Sequence, residues 1–291
     1  MEEIRKTLEE LEALYSLEPT IRDVYVEGPS DKAIISWFLC MSGSTSANVY
    51  EIEVVDIPPN VLNQLALENN NRGRVIALAM IMDMRLGNAT NSVTCICDTD
   101  LDEVLVTCPS TSSLLLTDYT SLDMYTISED AIAKLLLLAF NRRSPSGSDV
   151  LAAITEPARE LFLLRLVNRA LALALTPVAW HRCCTIRSGA ILFDHHEYTR
   201  RYLNASGKIS AFTVVSAYIE RVRGSLNSDI RKSANSHDLL EILALYLHKV
   251  LRINDNITEF SLRRLLFVSA SFSDLQKETM FSTLTNRLAN Y

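Results

Sequence analysis

The sequence predicts an α/β fold: a mostly parallel sheet flanked by helices, followed by a mainly helical C-terminal region. Three observations carry this reading. Helical patterns alternate with short β-rich runs over the first half of the chain, as they do where helices cover a parallel sheet. Each apolar β-run closes on polar residues at its carboxyl end, where ligands collect in such sheets. Beyond residue 128 the apolar spacing is mostly helical, and no internal repeat is present.

The elements follow in order. Residues 2–17 read as an amphipathic helix with Ile4, Leu8, Leu11 and Tyr15 on one face. The run D-V-Y-V-E (23–27) reads as a strand closed by Gly28-Pro29, and Ser30 or Asp31 can cap a helix over 33–41. Residues 48–56 form a second β-run. Pro58-Pro59 ends it and opens a helix near 60–67. Residues 74–86 suit either a buried helix or, at R-V-I-A-L, a strand. Residues 93–97 and 114–116 are the third and fourth strand candidates. Ser128 can cap a helix over 129–140, and Pro157 is expected to open a new helix within a helix-rich stretch at 151–175. Later helices are expected at 212–226, 237–251, 259–267 and 274–290. The expected organisation is an N-terminal helix (1–20), a sheet domain (21–140), the linker N-R-R-S-P-S-G-S (141–148) and a helical domain (149–291).

Composition narrows the class. At 291 residues, 48% hydrophobic and 22% charged, the chain can bury one large core or two ordinary ones. No apolar run is long enough to span a membrane, and the acidic start does not resemble a signal peptide, so a cytoplasmic protein is expected. The six cysteines show no CxxC pair and read as buried thiols. The net charge of -7 hides an asymmetry: 10 Lys/Arg against 23 Asp/Glu in residues 1–150, and 18 against 12 in 151–291. An acidic first half can carry cation ligands and a basic second half can face a polyanion or an acidic partner; ordinary solvated surfaces are the alternative reading.

The candidate chemistry lies in three acidic clusters at strand ends: Glu27 with Asp31, Asp98 with Asp100 and Asp102, and Asp118 with Asp123. Carboxylates gathered at one sheet edge repel one another unless a cation lies between them. A hard divalent ion, Mg²⁺ or Mn²⁺, relieves that repulsion and can activate water against a phosphoryl group. The D-x-D-x-D run is not an EF-hand loop, whose sixth and twelfth positions would be Gly and Glu; here they are Glu103 and Pro109. Nor does it sit on the first strand, where a haloacid-dehalogenase-type nucleophile belongs.

With these residues in view, V-Y-V-E-G-P-S-D-K (24–32) followed by C-I-C-D-T-D-L-D (95–102) resembles the TOPRIM fold. More narrowly it resembles the TOPRIM-like nucleases of the OLD group and anti-phage effectors such as the TOPRIM subunit of the PARIS system. T-D-Y-T-S-L-D-M-Y (117–125) resembles a third signature of that group, with Asp123 where Glu is usual. The likeness spans roughly residues 20–130, with an echo at S-H-D-L-L (236–240). It implies that 21–140 is a catalytic domain in which Glu27 is the acid or base and a metal contact. It implies that Asp98 and Asp100 bind Mg²⁺, with Asp102 nearby. It also implies a nuclease acting on RNA such as tRNA, or on DNA. Such a protein would be the toxin of an abortive-infection defence, held by a separate ATPase and active as a homodimer. The chain carries no P-loop motif, so an ATPase would be another polypeptide.

Substrate contacts are expected from Asp31, Lys32 and His237. Asp238 reads as a first-turn acid, and Asp194-His195-His196-Glu197 as a poor metal cluster, because adjacent residues seldom reach one ion. Arg142, Arg143, Arg200, Arg201, Arg221, Arg223, Arg231 and Lys232 can hold phosphates, and Tyr198 and Tyr202 can stack on bases. The competing reading is a non-catalytic TOPRIM-like module whose acidic edge docks on a basic partner.

Overall fold

The structure is a computed structural model that describes residues 5–44, 47–87, 91–105, 108–187 and 189–289. In chain order the elements are β1 (Lys6–Thr7), α1 (Leu8–Leu17), β2 (Arg22–Val26), α2 (Pro29–Met41), β3 (Ala47–Glu51), β4 (Val55–Asp56), α3 (Pro59–Gln64), α4 (Asn71–Leu86), β5 (Val93–Cys97), α5 (Asp102–Leu105) and β6 (Leu114–Leu116). There follow α6 (Glu129–Phe140), α7 (Gly147–Ala170), β7 (Cys184–Arg187), β8 (Ala190–Phe193), α8 (His195–Ala205), α9 (Phe212–Arg223), α10 (Ser236–Lys249), α11 (Glu259–Ser269), α12 (Phe272–Leu275) and α13 (Thr279–Ala289).

The chain divides into two compact units. The first comprises Met1–Asp102, Val106–Leu122 and Ser271–Tyr291; the second comprises Glu103–Leu105 and Asp123–Ala270. These divisions differ from those drawn on the sequence. The stretch 141–148 lies inside the second unit, because Gly147 packs so closely on α6 that a Cβ there would stand 2.0 Å from the Glu129 carbonyl oxygen. The last two helices join the first unit, where Phe38 of α2 meets Phe272 and Phe281 at ring separations of 5.3 and 4.5 Å.

The first unit is built on a four-stranded sheet in the order β3-β2-β5-β6, parallel throughout. Both central strands, R-D-V-Y-V and V-T-C-I-C, are buried along their whole length, as strands covered on both faces must be. Alternation sends Tyr25, Cys95 and Cys97 to the core formed with α1 and α4, among Leu8, Leu11, Tyr15 and Leu78. From β2 the chain moves one way to β3 and then back across to β5. Right-handed crossovers in these opposite directions set α2 and α4 on opposite faces.

Local chemistry shifts several boundaries. The first helix starts at Leu8, because Thr7 caps it in a capping box with Glu10; Ile4 lies outside the described residues. Gly28, not Ser30 or Asp31, is the N-cap of α2, with Pro29 at its first position. The run over 48–56 breaks into β3, a 3-10 turn and β4. Residues 74–86 are helical, and the helix opens at Asn71 under an Asn70 cap. Cys95, Cys97 and Cys183 are buried, but Cys40 is exposed on the outer side of α2.

In the second unit Pro157 does not start a helix. It sits inside α7, which runs unbroken through Gly147–Ala170. The missing N–H costs one helical bond, and the ring is buried alongside Ile154, Ala158 and Leu161, which favours continuity. The antiparallel hairpin β7–β8 and helix α8 lie outside the expected elements, although Asp194 is a helix cap readable from the sequence. No helix among the described residues is long and apolar enough to cross a membrane.

Candidate metal centre

Sheet topology selects the place. The chain leaves β2 toward β3 and returns on the other side as β5, so β2 and β5 flank the point where strand order reverses. Ligands of open parallel sheets bind at the carboxyl ends of such a pair. Glu27 follows β2 directly and Asp98 follows β5 directly.

Both carboxylates are held by backbone donors. The Asp98 N–H donates to Glu27 Oε1 at 3.0 Å, and the Leu122 N–H donates to Asp98 Oδ1 at 2.9 Å. The Asp100 N–H donates to the Thr120 carbonyl at 2.8 Å, which joins the loops after β5 and β6. Asp100 turns with a φ of 48°, a left-handed position that Asp tolerates better than most residues.

Burial is the main reason the Glu27 carboxyl stands above its ordinary value. The Asp98 N–H and the Cys97 thiol pull it down, Asp100 pushes it up, and Arg72 pulls it down. Asp98 stands well above its ordinary value, first through burial and then through the negative charges of Glu27, Asp31 and Asp100. The like-charge part of this shift is relieved by a cation placed among the carboxylates.

One cation is already there. Arg72, in the first turn of α4, places Nε 3.2 Å from Asp100 Oδ2 and 3.3 Å from the Asp98 carbonyl oxygen. Its NH2 group pairs with Asp102. Burial opposes the charge on Arg72, but the surrounding negative groups more than offset this, so it stays protonated. The neighbouring Gly73 is required for this placement: a Cβ there would lie 2.0 Å from the Glu68 carbonyl oxygen. The pattern of acidic residues alone does not single out Arg72. The available signal was the Asn70 cap, whose side chain accepts from the Gly73 N–H and sets Arg72 in the first turn.

The other expected site residues have partners of their own. Asp31 accepts from the Gly28 N–H at 3.1 Å and so closes the start of α2. Lys32 pairs with Glu51 at 3.3 Å and remains 44% exposed. Of the third expected cluster, Asp118 accepts from the Met280 N–H at 2.9 Å, holding the start of α13, and Asp123, in the second unit, meets Arg263 at 3.3 Å. His237, also in the second unit, lies exposed 3.2 Å from Glu259. Asp238 is a buried structural anion, bonded twice by Arg165 at 2.6 and 2.7 Å.

Asp194 caps α8, and Glu197 is taken up by Arg200 and Arg201. Arg223 and Arg231 are likewise paired with acids, and Arg142 donates to the Leu251 carbonyl. Tyr198 and Tyr202 are buried and stacked on each other at 5.7 Å, so they do not present faces to bases.

Among the described residues no group of three or more His, Cys, Asp or Glu side chains stands arranged to hold a metal ion; Asp100 and Asp102 are turned toward Arg72 instead. The donors at this edge are nonetheless carboxylate oxygens, the set that hard divalent cations take. No protein-family model matches the chain, and no curated protein matches it. Fold and site together define an α/β protein with a carboxylate cluster at the switch point of a parallel sheet.

Proposed function

We propose that the protein is a Mg²⁺- or Mn²⁺-dependent nuclease of TOPRIM type that hydrolyses phosphodiester bonds of RNA, such as tRNA, or of DNA. The observation that supports it most is the bond between Glu27 Oε1 and the Asp98 N–H, which joins two distant acidic motifs across adjacent central strands. Glu27, Asp98 and Asp100 would hold the ion, with Asp102 behind them. A bound divalent cation would neutralise phosphoryl charge and lower the pKa of water. Glu27, beside Asp98, takes the proton from the attacking water. Asp98 and Asp100 would hold the cation, whose charge would offset that of the scissile phosphate, and the bond from the Asp100 N–H to the Thr120 carbonyl keeps their loop in place.

The family likeness adds a context: a toxic anti-phage effector restrained by a separate ATPase and active as a homodimer. The test is cleavage of total RNA and plasmid DNA by the purified chain with Mg²⁺ or Mn²⁺, beside Glu27→Ala. The same pair is then expressed in cells with the partner ATPase and challenged with phage. Toxicity or cleavage that disappears in Glu27→Ala is expected. Equal effects from both proteins would leave the docking-module reading in its place.

A further inference from the structure

We infer that Arg72 is the resident counter-cation of this centre, competing with a divalent ion for Asp100 while pivoting on Asp102. The inference rests on the metal reading of Glu27, Asp98 and Asp100.

Three features of the site support it. Arg72 touches the Asp100 and Asp102 carboxylates and the backbone carbonyl of Asp98, so one guanidinium bridges the three acidic positions of the second motif. Its two carboxylate partners differ: the Asp102 side chain is 9% exposed, that of Asp100 47%. The buried contact is the firmer one and the open contact the one that yields. The Asn70 cap and the tight approach at Gly73 fix the backbone from which Arg72 reaches.

The physics then sets a direction. A guanidinium and a divalent ion that both draw on the Asp100 carboxylate repel each other across a few ångströms at this partly buried site. Entry of the ion therefore breaks the Nε–Asp100 contact and leaves the pairing with Asp102. The freed donors still lie at the carboxyl edge. A guanidinium fork binds phosphate in the same two-pronged way as carboxylate. Arg72 thus keeps the carboxylates together before metal binds and meets a phosphate oxygen afterwards.

The experiment measures Mn²⁺ binding to the full chain by electron paramagnetic resonance, with circular dichroism as the check of folding. The proteins are wild type, Arg72→Gln, Arg72→Lys and Asp98→Asn. Removing the competing charge in Arg72→Gln should tighten Mn²⁺ binding about tenfold or more. Arg72→Lys keeps a charge but cannot span two carboxylates, so it should fall between Gln and wild type. Cleavage by Arg72→Gln should drop although its metal affinity rises.

If Arg72→Gln binds Mn²⁺ no tighter than wild type, Arg72 is a scaffold and the inference fails by itself. If Arg72→Gln does not fold, the comparison of Arg72→Lys with wild type decides in the same way. If folded wild type and Arg72→Gln both bind no Mn²⁺, or Asp98→Asn binds as wild type does, the metal reading falls and the inference with it.

Discussion

The Glu27 carboxylate accepts the Asp98 N–H at 3.0 Å although 71 residues separate the two. The bond runs between the ends of adjacent parallel strands, so any change in the register of β2 against β5 would break it. Sheet pairing therefore sets the spacing of the two acidic motifs, and the consequences can be tested at several points.

Glu27→Gln keeps an oxygen for the Asp98 N–H and removes the charge. Cleavage should fall roughly 10²–10⁴-fold, the usual worth of a proton-transfer group, with little change in thermal stability. Glu27→Ala should lose the same activity. A Gln variant that cleaves at the wild-type rate would remove Glu27 from the chemistry.

Mg²⁺ should raise the melting temperature of the wild-type protein and leave Asp98→Asn unmoved. At an ion concentration one hundred times its Kd the gain is about 2.7 kcal/mol. Calorimetric scans with and without EDTA check this; equal shifts in both proteins would place the ion elsewhere.

Gly73→Ala puts a methyl group into the Glu68 carbonyl oxygen, 2.0 Å away. Relief requires the start of α4 to move, at a cost of about 1–3 kcal/mol. Because Arg72 is the adjacent residue, cleavage should drop as well. Urea unfolding and an activity assay on the same sample test both parts.

Asp238→Ala leaves Arg165 without its twofold acceptor. Breaking a fully buried pair costs more, but the Arg165 side chain is 45% exposed, so a loss of about 2 kcal/mol is expected. Asp238→Asn, which retains one acceptor, should lose less. Chemical denaturation separates the two variants.

Asp149 closes the start of α7 by accepting from the Ser146 hydroxyl at 2.6 Å and the Ser146 N–H at 3.1 Å. The hydroxyl first, then the N–H, hold its carboxyl below the ordinary 3.8. A carboxyl lowered by folding supports the fold above the unfolded-chain value and withdraws that support as pH falls through the lower folded value. The melting temperatures of wild type and Asp149→Asn should therefore differ at pH 6 and converge well below 3.8. A gap that stays constant down to the acid limit of folding would show that the charge is not its source.

Much of this was legible from local patterns. A β-rich run closed by Gly-Pro and a run of Val, Thr and Cys closed by Asp mark strand ends through neighbouring residues alone, which is why Glu27 and Asp98 stand out without coordinates. Alternation of these runs with helical stretches likewise specifies covering layers on a sheet. Pro157 misled because a proline's local preference for a helix start is weaker than the burial of a long apolar helix around it.

The sequence by itself determined that acidic residues would close the central strands of an α/β unit, since strand, turn and cap chemistry act over a few residues. Only the tertiary structure decided which charges meet. It gave Asp100 and Asp102 to Arg72, Asp118 to the start of α13 and Asp123 to Arg263. Such pairings depend on how helices far apart in the chain seat on one core, and a charged side chain shows its partner only when both have been brought to the same place.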